Sequence, residues 1–129
     1  MLDNSLGRYV EMEIEDIAKL CTSMLMKQME NDVISKFRRL LTIEQYRNKD
    51  LSKMYIDVFM DRQLNYIERV FNYLLENDIL QGTSPGIMAL EFFSPFFMLQ
   101  YKYVDNKELL EKMLMEHTIC FIREHLREE

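Results

Sequence analysis

Ile87-Met-Ala-Leu-Glu-Phe-Phe-Ser-Pro-Phe-Phe-Met-Leu99 is apolar almost all round. A helix with that pattern has to be covered on every side. It is too short to cross a bilayer, which takes about 20 apolar residues, and Glu91 interrupts it. In a domain this small, coverage on all sides points to a second protein chain. The helix after it carries two apolar stripes. At about 100° per residue, Leu110, Leu114, His117 and Phe121 form one. Met115, Ile119, Ile122 and Leu126 form another, on roughly the opposite side. One stripe can pack on its own domain, and the other faces water unless a partner covers it. The C-terminal third therefore reads as a helical dimer interface. Its candidate residues are Phe92, Phe93, Phe96 and Phe97 on the first helix and Met115, Ile119, Ile122 and Leu126 on the second.

The 129 residues suit a single domain, and 48% of them are hydrophobic, enough for a real core. Three glycines and two prolines are few for a fold built on tight turns. Leu, Met, Glu, Lys and Arg are good helix formers. The expectation is an all-α bundle of about six antiparallel helices. A formal net charge of −6 repels phosphate backbones, so this chain alone is a poor match for nucleic acid. No basic region followed by an apolar run marks the N-terminus, which suits a cytoplasmic protein with no membrane partner. Cys21 and Cys120 both lie in apolar helical patterns and read as buried free thiols.

The first helix spans about residues 14–29, with Ile14, Ile17, Ala18, Cys21, Met24, Leu25 and Gln28 on one face. Residues 1–13 carry little pattern and read as a frayed start. Asn31 or Asp32 caps a second helix, which has Val33, Phe37, Leu40 and Leu41 inside and ends near Arg47. Leu51, Met54, Tyr55, Val58 and Phe59 face inward on a third. Leu64, Ile67, Phe71, Leu74 and Leu75 do so on a fourth, out to Ile79. These last two are either separate helices bent near Asp61 or one long helix from Leu51 to Asn77. Gly82 suits a helix C-terminus, and Thr83 or Ser84 with Pro85 suits a new start. The fifth helix runs to about Tyr103, kinked rather than broken at Pro95. Asp105 or Asn106 caps the sixth, which ends near Leu126.

No Gly-rich phosphate loop, Cys-x-x-Cys or His-Glu-x-x-His occurs, and neither histidine has a glutamate three residues before it. The reading is therefore non-enzymatic, with no cofactor and no metal. His117 reads as a hydrogen-bonded core or interface residue, and His125 as a cation at a helix end. Arg38 and Arg39 read as a solvated face. Eleven methionines, eight phenylalanines and seven tyrosines give either an ordinary core or an adaptable cavity for an apolar ligand. In the second case Met24, Gln28, Phe37, Tyr55, Phe59, Tyr66 and Phe71 converge between the first four helices. Gln28 then needs a partner from backbone, water or ligand.

From about Asp32 onward the sequence resembles the C-terminal domain of TetR-type (tetracycline-repressor-like) transcriptional regulators. The likeness rests on ISKFRRLLTIEQYRN at Ile34–Asn48, VFNYLLENDILQG at Val70–Gly82 and IMALEFFSPFFMLQYKY at Ile87–Tyr103. The closing MLMEHTICFIREHL, Met113–Leu126, matches the family's last helix in style. It is a likeness of pattern and order over about three quarters of the chain. The resemblance implies a homodimer whose last two helices pair with the partner's in a four-helix bundle. It implies a pocket for a small apolar or amphipathic effector, and DNA contact only through an N-terminal helix-turn-helix domain. Nothing before Asp32 resembles that domain, so residues 1–129 are expected to be the effector-binding and dimerisation part.

Overall fold

The computed structural model describes residues 2–126, with side chains from residue 14 onward. Within them the chain is all-helical: α1 (Leu2–Glu30), α2 (Asp32–Glu44), α3 (Lys49–Ile56), α4 (Arg62–Glu76), α5 (Pro85–Lys102) and α6 (Lys107–His125). Residues 2–13 are helical, not a frayed start, because extending a formed helix adds one hydrogen bond per residue fixed. Met1 lies outside the described residues.

Side-chain oxygens start most of these helices by accepting from otherwise orphaned backbone N–H groups. Asn31, rather than Asp32, caps α2 by accepting from Ile34 N at 3.0 Å. Asn48 Oδ1 accepts from Asp50 N at 2.9 Å and Leu51 N at 3.3 Å, opening α3. Ser84 accepts from Ile87 N, with Pro85 following in the first turn of α5. Asn106 accepts from Leu109 N and opens α6.

The two alternatives for residues 51–77 resolve into one rod with a defect. The π-turn Asp57–Asp61 joins α3 to α4 without a break. There Arg62 N donates to Asp57 O, five residues back. The inserted residue turns the inward face by about 100°, which carries the apolar row from Tyr55 and Phe59 on to Leu64, Ile67 and Phe71. Six expected helices thus become five rods.

Gly82 does not end α4. Asp78 does, at φ 58°, and Ile79 N closes the helix on Leu74 O at 2.9 Å. Gly82 is needed for space instead, since a Cβ there would sit 2.6 Å from Met88 Sδ. The loop is pinned to the end of α6: Gln81 N donates to His125 O at 2.7 Å, and Leu80 forms an isolated antiparallel bridge with Leu126. α5 runs unbroken through Pro95.

Two apolar clusters fill the interior. Met26, Phe93, Phe96, Leu99, Leu110 and Leu114 form the first, and Phe71, Leu80, Met88, Ala89 and Phe121 the second. Leu64 and Ile67 of α4 pack against both. α5 lies between α4 and α6, and α1 lies along α6. The buried row of α1 is Ile14, Ala18, Thr22 and Met26, an i, i+4 row with small residues that admit a close neighbour. This differs from the expected face. Ile17 and Met24 are half-exposed, and Gln28 is on the surface. α2 is rotated likewise: Leu41 is buried, while Val33, Phe37, Leu40 and Ile43 are exposed. No described helix is long and apolar enough to cross a membrane.

Both cysteines are free, but only Cys21 is half-buried; Cys120 is exposed, which corrects its reading as a core thiol. Burial pushes the Cys21 thiol up. Because the thiolate is the nucleophile, Cys120 should alkylate at least about tenfold faster than Cys21 at pH 8. Mass spectrometry of iodoacetamide-treated native protein reads the two rates, and equal rates would contradict this placement.

Candidate functional site

A small cavity of about 20 Å³ sits where α1, α2, the π-turn, α4 and α5 meet. α1 contributes Gln28 and Met29; α2 contributes Ile34, Ser35 and Arg38. Phe59 enters from the π-turn and Gln63 from α4. α5 supplies Phe93, Phe96, Phe97 and Gln100. That volume is about the room of one water. π-turns inside α-helices recur at functional sites, and here the turn carries Phe59 to the wall.

The α5 wall follows from helical spacing. Phe93, Phe96, Phe97 and Gln100 stand at i, i+3, i+4 and i+7, one face of the helix. Phe93 and Phe97 meet edge to face at 5.2 Å, and Phe93 and Phe96 stack at 5.7 Å. Gln100 is buried. The Oε1 of Gln63 is buried with no hydrogen-bond partner, a costly state for an acceptor. Arg38 is half-buried, and loss of solvent lowers its guanidinium below the ordinary arginine value, partly offset by the nearby Tyr55 hydroxyl. Arg38 forms no ion pair with any described carboxylate. Sequence reasoning placed it on a solvated face; the inward turn of α2 puts it at the cavity instead.

The seven residues expected to converge separate into three groups. Gln28 and Phe59 line the cavity. Phe37 and Tyr55 stand next to it through Phe59, with ring centroids 6.0 and 5.7 Å away. Met24 and Tyr66 are 51% and 56% exposed and take no part, and Phe71 lies in the second cluster. Sequence reasoning missed Gln63, Gln100 and Arg38. The only signal in the sequence was a polar residue on an otherwise apolar face, which it applied to Gln28 alone.

The eight residues expected at a dimer interface are also redistributed. Phe93 and Phe96 are buried in the chain's own core. Phe97 packs against that core, and Phe92 against the second cluster, edge-on to Phe71 at 5.7 Å. Ile122 and Leu126 also pack on the second cluster. Met115 and Ile119 are half-buried. The apolar residues that α5 does leave exposed are Ile87, Leu90, Met98 and Tyr101, with Met98 at 62% and Tyr101 at 88%. Their spacing of i, i+3, i+11 and i+14 puts them on one outer face as two pairs, with the exposed Glu91 and Ser94 between the pairs.

His117 is placed as expected, hydrogen-bonded in the interior. Its Nε2 lies 2.7 Å from Phe92 O and its ring stacks on Phe92. A carbonyl only accepts, so Nε2 carries the proton. His125 bonds Phe121 O through Nδ1 at 2.8 Å and stacks on that ring at 4.3 Å. No group of three or more described His, Cys, Asp or Glu residues is placed to hold a metal ion. Comparisons with protein-family models, with curated proteins and with solved structures give no significant match to this chain.

Proposed function

We propose that this chain is the effector-binding and dimerisation domain of a ligand-responsive transcriptional regulator of TetR type. The observation that carries the reading is the cavity. Buried polar groups are ordinarily hydrogen-bonded, yet Gln63 presents an unpartnered acceptor beside four phenylalanines and a half-buried Arg38. Few polar groups set in an aromatic wall are the usual make-up of a small-molecule site. The exposed apolar pairs on α5 support the second half of the reading, with α5 and α6 pairing with their copies in a homodimer. In this scheme the protein works in the cytoplasm, and DNA contact belongs to a separate N-terminal helix-turn-helix domain. A ligand alters operator affinity only by binding one of two states more tightly.

The test is a thermal-shift screen of small apolar and amphipathic compounds against the chain. A compound that binds the folded state alone at a concentration of 100 Kd adds about 2.7 kcal/mol and raises the melting temperature by several degrees. The small size of the cavity favours a second reading, a helical dimerisation module without a small-molecule ligand. A screen in which no compound shifts the transition would decide for that module.

A further inference from the structure

α2 leaves an apolar face uncovered. Val33, Leu40 and Ile43 are 77%, 53% and 64% exposed. With Lys36 they stand at i, i+3, i+7 and i+10, an alternation of three and four that makes a narrow seam, about 80° wide, along the helix. The other side of α2 is already occupied: Leu41 is buried, and Ile34, Ser35 and Arg38 line the small cavity. The charge around the seam is the reverse of the chain's. Residues 33–54 hold six Lys and Arg against two Asp and Glu, whereas the rest of the sequence holds ten against twenty. Lys36 and Arg39 stand at the seam, and Arg47, Lys49 and Lys53 follow in the turn and α3, all five exposed. Among the described residues, the only ion pair made by these five is Lys36 with Asp32 at 3.0 Å. Both partners of that pair are largely in solvent, so it is weak and exchangeable.

We propose that the outer face of α2 docks an acidic amphipathic helix of another protein, with apolar side chains between Val33, Leu40 and Ile43 and carboxylates on Lys36 and Arg39. The spacing selects a helix, because a seam of this period takes side chains from one facing helix. The 13 residues of α2, about 20 Å, present nearly two heptads. The charge selects an acid, since opposite potentials across an interface steer the encounter and fix its register. A second copy meeting the seam with its own α2 sets Lys36 and Arg39 against their like, which is unfavourable. A lipid surface is a poorer match, because Lys36 stands within the apolar seam rather than on a separate polar face. The docking face is independent of the effector reading, and it is not the α5 face assigned to the homodimer.

The experiment is fluorescence anisotropy with a labelled two-heptad peptide, held helical by a side-chain cross-link, with Leu at its a and d positions and Glu elsewhere. A second peptide with Lys in place of Glu is the charge control. Vesicles of equal parts phosphatidylglycerol and phosphatidylcholine are the lipid control. The acidic peptide should bind at least about tenfold more tightly than the basic one, and severalfold more weakly at about 0.5 M salt than at about 0.05 M. Leu40→Glu with Ile43→Glu should weaken it by about tenfold or more, because unpaired charges are then desolvated. Lys36→Glu with Arg39→Glu keeps the apolar residues and should reverse the preference between the two peptides. Ile17→Glu with Leu20→Glu, on the exposed side of α1, should leave binding within about threefold. Circular dichroism checks that each variant folds. Equal binding of the two peptides, no binding of the acidic one, or binding unchanged by the α2 substitutions overturns the proposal. Vesicle binding lost in Leu40→Glu with Ile43→Glu, where the acidic peptide does not bind, assigns the face to lipid. A fall in the chain's own mass by light scattering in that variant assigns it to a second copy, and either result also overturns the proposal.

Discussion

Phe93→Ala should cost about 3–5 kcal/mol of folding stability and lower the melting temperature by roughly 10–20 °C. Phe93 is 4% exposed and stands between Phe96 and Phe97 with ring centroids 5.7 and 5.2 Å away. Truncation removes those contacts and leaves a hole where the small cavity already reduces packing. α5 cannot collapse into it, because α4 and α6 hold the helix on either side. Tyr46→Ala gives the contrasting result. Tyr46 is 89% exposed, and the change should stay within about 0.5 kcal/mol. Urea denaturation of both variants reads the difference. If Phe93→Ala instead cost under about 1 kcal/mol and only weakened self-association, the ring would face a partner, as the sequence pattern alone suggests.

The second large effect concerns association. Leu90→Glu with Met98→Glu should turn the proposed dimer into a folded monomer, weakening association by about a thousandfold or more. Both residues lie on the exposed outer face of α5, so the charges do not enter the chain's own core. In a two-fold dimer each substitution acts twice, placing four carboxylates at one interface. Desolvating an unpaired charge is unfavourable by several kcal/mol, and every 1.4 kcal/mol is a factor of ten. Light scattering behind size exclusion gives the mass, and circular dichroism checks the fold. The paired control is Leu40→Glu with Ile43→Glu on the exposed face of α2, which should leave the dimer intact. Loss of the dimer in the control and not on α5 would move the interface to the α1–α2 side. Ile119 and Ile122 make a poorer test, since both are half-buried and Ile122 packs on the second cluster.

Local chemistry was readable from the sequence wherever one residue sufficed. A side-chain oxygen before an apolar run put caps at or beside Asn31, Ser84 and Asn106, and the structure decided each choice. The all-helical class followed from few glycines and prolines and from apolar residues at helical spacing. The joint between α3 and α4 stayed ambiguous because a π-turn needs no Gly or Pro; it inserts one ordinary residue. The end of α4 was misread for a related reason. Asp78 tolerates a left-handed conformation, so Gly82 was free to meet a packing need that only Met88, six residues on, reveals.

The candidate site was less legible. Periodicity says which residues share a face; it does not say what the face meets. Phe93 and Phe96 read the same whether α4 and α6 cover them or a second chain does. α1 and α2 show the limit most clearly. Each has enough apolar residues to define more than one face, and tertiary packing chose Thr22 over Ile17 and turned Arg38 inward while Val33 and Leu40 stayed out. By itself the sequence determined the helices, their order and most of their ends, because caps and periodicity act within a few residues. Only the tertiary structure decided which face of each helix is buried and which polar groups meet at the cavity, because those depend on neighbours distant in the chain.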